Sequence, residues 1–507
     1  MKSIVSAVLV GALWVCTLNA ELKLASPFSD HMVLQREMPL PVWGKADPGA
    51  SILVEFAGQR KTGVADSNGR WRVDLEAMPA SFESRSFTVS ATKYASVDRL
   101  ELSDVLVGEV WICSGQSNMQ FGVAGVPEIK ALIPKARYIR SFTVKRTVAF
   151  EEQEYLEGEW SPQTPESAVA FSFAYFLQEA GDIPIGIILT AWGSSGIEAW
   201  MPRDMIEEVP HFKTIMEEFD ANTEAHDRLK AALEGPKPWK REEDIFMRRQ
   251  PNILYNAMMK PLAPFASRGL VWYQGERNTQ SMFGMVEEPW YSRNSGMLLY
   301  GETLQRWMKR YRKEWKQDDF HFLIVMLPGF GKTLPSGPEE GAESPIAHSW
   351  AWIRESQLKA LELSGTGVAN TIDLGDATNV HPSDKLPVGQ RLALLAARDT
   401  LGHEIVAEGP VFDRLELKDD SILVHFKDAE GLKTNDGEAP SGFWLADESG
   451  SWVPAEARID HESIVLWSAQ LRNPLYVRYA FAGKPKVNLV NQVGLPAYPF
   501  RTDTFEP

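Results

Sequence analysis

A change of rhythm along the chain constrains its fold more than any other feature. Between about residues 104 and 402, continuous apolar runs recur at 104–113, 183–190, 269–273, 321–327 and 367–372. A strand buried on both faces reads as an unbroken run of this kind, whereas a strand with one solvated face alternates. Helical patterns lie between the runs, at 167–179, 301–315, 352–363 and 388–400. Buried strands alternating with helices predict an α/β core: a five-stranded parallel sheet covered on both sides.

The flanks read differently. Residues 21–103 carry short alternating runs at 51–56, 71–75 and 86–91, broken by Asp47-Pro48-Gly49 and Asp66-Ser67-Asn68-Gly69. Residues 403–507 return to that pattern at 421–426 and 463–467. Strands at this spacing predict a β-sandwich-like domain at each end of a core spanning 104–402. Two stretches stand outside the sheet pattern. Residues 221–249 form a charged, helical excursion, and 329–349 form a Gly- and Pro-rich connection long enough for a rim loop or lid.

Residues 1–20 read as an address. Lys2, an apolar stretch from Ile4 to Val15 and the small residue Ala20 have the order of a secretory signal, which predicts export to the periplasm or beyond. Lipoprotein anchoring through Cys16 ranks second, because Val15 occupies a place where a small residue is wanted. Removing the segment leaves Cys113 as the single cysteine, so no disulfide forms within the chain. No later apolar run approaches the roughly 18 residues of a membrane span. A net charge of −16 repels phosphate backbones and argues against a nucleic-acid partner.

Ligands of an open parallel sheet bind beyond the carboxyl ends of its strands. Four such loops carry reactive or hydrogen-bonding groups. Cys113-Ser114-Gly115-Gln116-Ser117-Asn118-Met119 puts a serine on a strand-to-helix turn, although a serine there also serves as an ordinary helix cap. Ala191-Trp192-Gly193-Ser194-Ser195-Gly196 offers backbone N–H groups that a ligand can approach closely. Tyr273-Gln274-Gly275-Glu276-Arg277-Asn278 offers side-chain amides. Asp373-Leu374-Gly375-Asp376-Ala377-Thr378-Asn379-Val380-His381-Pro382 carries a histidine to the same sheet edge as Ser117. No metal signature survives with one cysteine and no His-Glu-x-x-His, so neither metal nor cofactor is implied.

Taken together, these segments resemble the SGNH hydrolase superfamily, and within it the sialate O-acetylesterase-like carbohydrate esterases. The resemblance rests on Gly115-Gln116-Ser117-Asn118-Met119, Trp192-Gly193 with Glu198-Ala199-Trp200-Met201, Trp272-Tyr273-Gln274-Gly275-Glu276 with Asn278, and His381-Pro382 followed by Lys385, Gly389 and Arg391-Leu392-Ala393. The flanks add Met32-Val33-Leu34-Gln35 and Gly494-Leu495-Pro496-Ala497. The resemblance implies a flavodoxin-like core and an esterase acting on O-acetylated sugar. It also implies Ser117 as nucleophile, His381 as base, and an oxyanion hole from the N–H groups of Ser117 and Gly193 and the amide of Asn278. Gln116, Trp192, Glu276 and Arg277 are the expected substrate contacts, with Arg277 or Arg203 as candidates for a sialate carboxylate.

One position departs from the family pattern. Asn379 stands two residues before the histidine, where the family has aspartate. Asn379 can accept the imidazole N–H but brings no charge. Asp376 is the favoured substitute, with a Ser–His pair as the remaining option. Two readings compete with a sialate esterase: an acetylesterase for xylan- or pectin-type polysaccharide, and a glycan-binding protein whose esterase site has decayed.

Overall fold

The computed structural model describes residues 22–281, 296–331 and 349–505. The export segment at 1–20, and 332–348 of the expected rim loop, lie outside the described residues. The central sheet contains β1 (Ser96–Gly115), β2 (Ile139–Val144), β3 (Gly158–Ser161), β4 (Ile185–Ala191), β5 (Gly269–Tyr273), β6 (His321–Val325) and β7 (Thr366–Ala369). Their order in space is β3-β2-β4-β1-β5-β6-β7. Every neighbouring pair is parallel except β2 and β3. Among the described residues the parallel stretch thus holds six strands where the apolar runs predict five. The addition is β2, whose Ile-Arg-Ser-Phe-Thr-Val has its apolar pattern broken by Arg140 and Ser141, although both are buried.

Helices cover both faces, and the register shows how. Trp111 of β1 lies opposite Gly269, while Trp272 of β5 lies opposite Ser114. Side chains alternate across a strand, so the two indoles point to opposite faces. Trp111 meets Phe173 of α2 (Ala168–Gly181) with ring centroids 5.3 Å apart. Trp272 meets Trp307 of α3 (Tyr300–Trp315) at 4.7 Å. The tryptophans at these strand ends are therefore core, and Trp192, Trp200 and Trp350 are buried as well. Beside α2 runs α5 (Lys385–Leu401). The two helices cross closely because Gly389 has no side chain: a β-carbon there would stand 2.3 Å from Ser172 Cβ. The charged excursion is helical, with Thr223–Glu234 and Arg241–Met247.

The expected boundary at 103/104 falls inside a strand. The first half of β1 pairs antiparallel with Ser81–Lys93, and Val33–Gln35 runs parallel to residues 106–108. The flanking β structure and the core thus share one sheet. The rhythm changes where β1 passes from an exposed, alternating half to full burial from Val105 onward, which is a change of surroundings and not a break in the chain. A second N-terminal sheet holds Lys23–Leu24, Leu40–Lys45 and Arg70–Leu75. The junction is polar. Gln35 Oε1 accepts the Val110 N–H at 2.8 Å, and the buried Glu109 carboxylate receives both Arg36 and Arg268.

The C-terminal strands form two four-stranded antiparallel sheets and a two-stranded ribbon. Phe500 of one sheet stacks on Phe412 of the other at 4.5 Å. The segment is tied to the core near the carboxyl end of β7. Asn370 donates to the Pro496 carbonyl at 2.8 Å, and the Tyr498 hydroxyl donates to the Val368 carbonyl at 2.6 Å. The fully buried Arg354 donates to the carbonyls of Leu327, Pro328, Ala482 and Gly483. Its guanidinium joins the end of β6 to the C-terminal domain.

Candidate active site

The chain crosses from one side of β1 to the other between β4 and β5, which makes the carboxyl end of β1 the switch point at which ligands of such sheets bind. Register sets the loops around it. Gly115 lies opposite Ala191 on one side and Tyr273 on the other, so the Trp192–Gly193 and Gln274–Asn278 loops leave the sheet level with Ser117. Gly115 makes this possible at φ 134°, where a β-carbon would stand 2.2 Å from the Tyr273 carbonyl oxygen.

Ser117 begins a four-residue helix, α1 (Ser117–Gln120), rather than capping it. The turn is braced from behind by Ser167, whose Oγ accepts the Ala170 N–H at the start of α2 and donates to the Met119 carbonyl at 2.6 Å. Ser117 Oγ itself meets His381 Nε2 at 2.7 Å. The two residues are 264 positions apart in sequence, and the sheet edge brings them together. Burial, and then the nearby Lys385 cation, push the imidazole below its usual value of 6.5. The ring therefore stays neutral, and able to accept a proton, on the acid side of that value.

Neither candidate for the acid reaches the ring. The exposed Asp376 closes a turn: its Oδ1 accepts the Thr378 N–H at 2.6 Å, the Thr378 hydroxyl at 2.8 Å and the Asn379 N–H at 2.9 Å. Asn379 brackets the histidine's backbone instead of its ring, accepting the His381 N–H at 2.9 Å and donating to the His381 carbonyl at 3.0 Å. Among the described residues no carboxylate pairs with the imidazole. Asp376→Asn is accordingly expected to change kcat/KM for an aryl acetate less than about threefold, because loss of an exposed turn bond is a small perturbation. A loss of a hundredfold in steady-state assays would return Asp376 to the mechanism.

Of the donors expected around an oxyanion, the Gly193 N–H lies close to the serine, and both it and the Asn278 amide have partners within the protein. A β-carbon at Gly193 would lie 3.1 Å from Ser117 Cβ, which measures how close that backbone comes. The Gly193 N–H donates to Gln120 Oε1 at 2.5 Å. Asn278 Nδ2 donates to Glu198 Oε1 and Oε2 at 3.1 and 3.2 Å, while its Oδ1 accepts from Gln274 Nε2 at 2.8 Å. Glu198 thus orients the Asn278 amide, a role its position in the Glu198-Ala199-Trp200-Met201 motif does not announce.

Burial raises the Glu198 carboxyl to about 7. In the unfolded chain it ionises near its ordinary 4.5, so the native state carries a cost that grows as pH rises from about 4.5 to about 7 and then levels off. Glu198→Gln is expected to escape that cost. Its stability relative to the parent should rise by on the order of 3 kcal/mol between pH 4 and pH 8 in denaturant melts. An unchanged difference across that range would mean that Glu198 titrates at the same pH in the folded and unfolded chain, with no rise from burial.

The four expected substrate contacts are all buried in the protein. Gln116 Oε1 accepts from Gln274 Nε2 and from the Arg277 N–H, both at 3.2 Å. Trp192 stacks on Trp239 with centroids 5.9 Å apart. Glu276 accepts from Asn118 Nδ2 at 2.6 Å. These groups build the walls of the site, and Arg203 pairs with Asp220 at the surface. Asn118, Gln274 and Lys385, which the motifs contain without an assigned role, and Gln120, three positions after Ser117, are further polar residues at the site. Among the described residues no group of three His, Cys, Asp or Glu side chains is arranged to hold a metal.

The site's surroundings have counterparts in known proteins. Residues 107–234 match the family described as carbohydrate esterase, sialic acid-specific acetylesterase. The sialate O-acetylesterase of Mus musculus is 26% identical over 513 residues, covering 91% of this chain and 90% of that protein. The Homo sapiens sialate O-acetylesterase is 26% identical over 468 residues, covering 85% and 82%. The crystal structure of a carbohydrate acetylesterase from Xanthomonas citri superposes with a TM-score of 0.79 at 32% identity, covering 96% of this chain and all of that one.

Proposed function

Because this chain belongs to the sialate O-acetylesterase-like family of carbohydrate esterases and is a carboxylic ester hydrolase, we propose that it removes acetyl groups from sugar hydroxyls through an acetyl-Ser117 intermediate. The observation that carries this reading is the 2.7 Å contact between Ser117 Oγ and a histidine nitrogen. A serine hydroxyl attacks an ester at neutral pH only when a base takes its proton as the new bond forms. His381 Nε2 is placed to do so, and its depressed pKa keeps it unprotonated.

In the first half-reaction Ser117 Oγ bonds to the acetyl carbonyl carbon and His381 gains the proton. The carbonyl oxygen becomes an oxyanion, facing the N–H groups of Ser117 and Gly193 and the Asn278 amide. Gln120 Oε1 holds the Gly193 donor in the free protein, and the substrate oxygen takes that place on binding. The intermediate collapses, the C–O bond to the sugar breaks, and the departing sugar oxygen takes the proton from His381. Water then repeats the sequence on acetyl-Ser117, releasing acetate and restoring the serine. The imidazolium formed in each half-reaction has no carboxylate to balance it among the described residues, so the pair works as a dyad.

Acetate release from 9-O-acetyl sialic acid, set against acetylated xylooligosaccharides, tests the substrate class. Preference for the sialic acid supports the sialate reading, and preference for the oligosaccharides favours the polysaccharide reading. Mass spectrometry of acid-quenched enzyme tests the intermediate, which is expected as one acetyl group on the peptide carrying Ser117. Export is part of the same proposal. N-terminal sequencing of the mature protein from a periplasmic or culture fraction should begin at Glu21, and a chain retaining residues 1–20 inside the cell would reject it.

A further inference from the structure

Beneath the reacting pair, buried polar groups form a continuous chain of hydrogen bonds. Lys385, fully buried at the first position of α5, donates from Nζ to Asn118 Oδ1 at 2.7 Å. Asn118 donates from Nδ2 to Glu276 Oε1 at 2.6 Å and to the Val380 carbonyl at 2.9 Å. Asn118 follows the nucleophile in sequence and Val380 precedes the histidine. A single amide therefore ties the two reacting loops to each other.

The charges decide which way that amide points. An ammonium group only donates, so it must face the amide oxygen, which leaves the amide nitrogen to donate to Glu276 Oε1. With Lys385 on one side and Glu276 on the other, Nδ2 is left aimed at Val380. Asn379 engages the backbone of His381, and among the described residues no carboxylate holds its ring. The imidazole's position then follows from where the backbone of residues 379–381 is fastened.

On this basis, and resting on the reading of His381 as the base, we propose that Lys385 is a positioning residue: through Asn118 it holds the Val380 carbonyl and so sets His381 against Ser117. The charged groups around the cluster are Lys385 itself, Glu276 from the loop after β5 and Asp384 just before α5. On the sheet side the Lys385 ammonium lies 5.4 Å from the Tyr273 ring centroid, and 5.2 Å from that of Phe121. Tyr273 is neutral, its phenol pushed well up by burial. Burial brings Lys385 down to about 8, with Glu276 and Asp384 opposing, so it is cationic wherever His381 titrates. Its charge is the second cause, after burial, that lowers the histidine.

Lys385→Met, of similar length but uncharged, tests both parts. Relative to the parent, kcat for an aryl acetate is expected to fall about 10- to 100-fold, the scale of a small misplacement of a reacting group, with KM nearly unchanged. The acid limb of kcat/KM is expected to move to higher pH, because the cation beside His381 is gone. A merely structural lysine would lower the melting temperature without moving that limb. If Lys385→Met lacks a cooperative melt, Lys385→Gln replaces it with the same expectations. A folded variant with the parent's kcat and acid limb overturns the proposal. Should Ser117→Ala or His381→Ala keep full activity, the fault lies with the dyad reading beneath it.

Discussion

Replacing Ser117 with alanine is expected to lower kcat/KM for an aryl acetate about a thousandfold or more while leaving the fold intact. The serine contributes one bond through its side chain, to His381 Nε2, and the turn it occupies is fixed by groups that survive the change. Gly115 still permits the close approach to Tyr273, and Ser167 still bonds the Met119 carbonyl. What disappears is the atom that forms the covalent bond to the acyl carbon. Substrate binding and the oxyanion donors remain, which accounts for a residual rate above that of water. The assay needs a matched thermal melt, since a loss of activity with a lost transition would report on folding. Retention of more than about a tenth of the parent activity by the folded variant would falsify the nucleophile assignment.

His381→Ala is the second large effect, expected at about 100- to 10,000-fold in kcat/KM, the usual span for a removed general base. Its pH dependence is more telling than its size. The base works unprotonated, and burial together with Lys385 lowers its pKa from 6.5. The parent's kcat/KM should therefore hold level above that value and decline on the acid side, with a midpoint below 6.5. His381→Ala should lose this limb along with the rate. A midpoint above 6.5, or a limb that survives the substitution, would place the titrating group elsewhere. A carboxylate-supported histidine behaves in the opposite sense, because a neighbouring negative charge raises the imidazole pKa. The direction of the midpoint thus separates a dyad from a triad without a further variant.

The strand-end loops were readable because the chemistry of this fold concentrates there. Ser117 and His381 sit in loops that follow apolar runs, and parallel strands bring such loops to one edge wherever they fall in sequence. The acid partner was not readable in the same way. Whether Asp376 faces the imidazole depends on how its turn closes, and three local donors capture its carboxylate. The resemblance made Glu276 a substrate contact, and charged side chains are seldom fully buried. The structure buries it against Asn118, at about 7 by burial, with Lys385 partly offsetting the rise. Strand β2 escaped for a related reason. Arg140 interrupts its apolar pattern, yet the guanidinium is buried and bonds the carbonyl of His31 and the Asp104 carboxylate. Buried polar networks of this kind leave no periodic trace in sequence, since their members are specified by partners far along the chain.

The twenty-residue strand that ends at Gly115 carries a mechanical implication. Its outer half is held by the N-terminal sheet and its inner half leads into the reacting serine, so force or disorder at one end is felt at the other through backbone alone. No shortened enzyme that begins at residue 104 can keep this rod whole. Trimming the front of the protein removes the fulcrum on which the nucleophile is levelled.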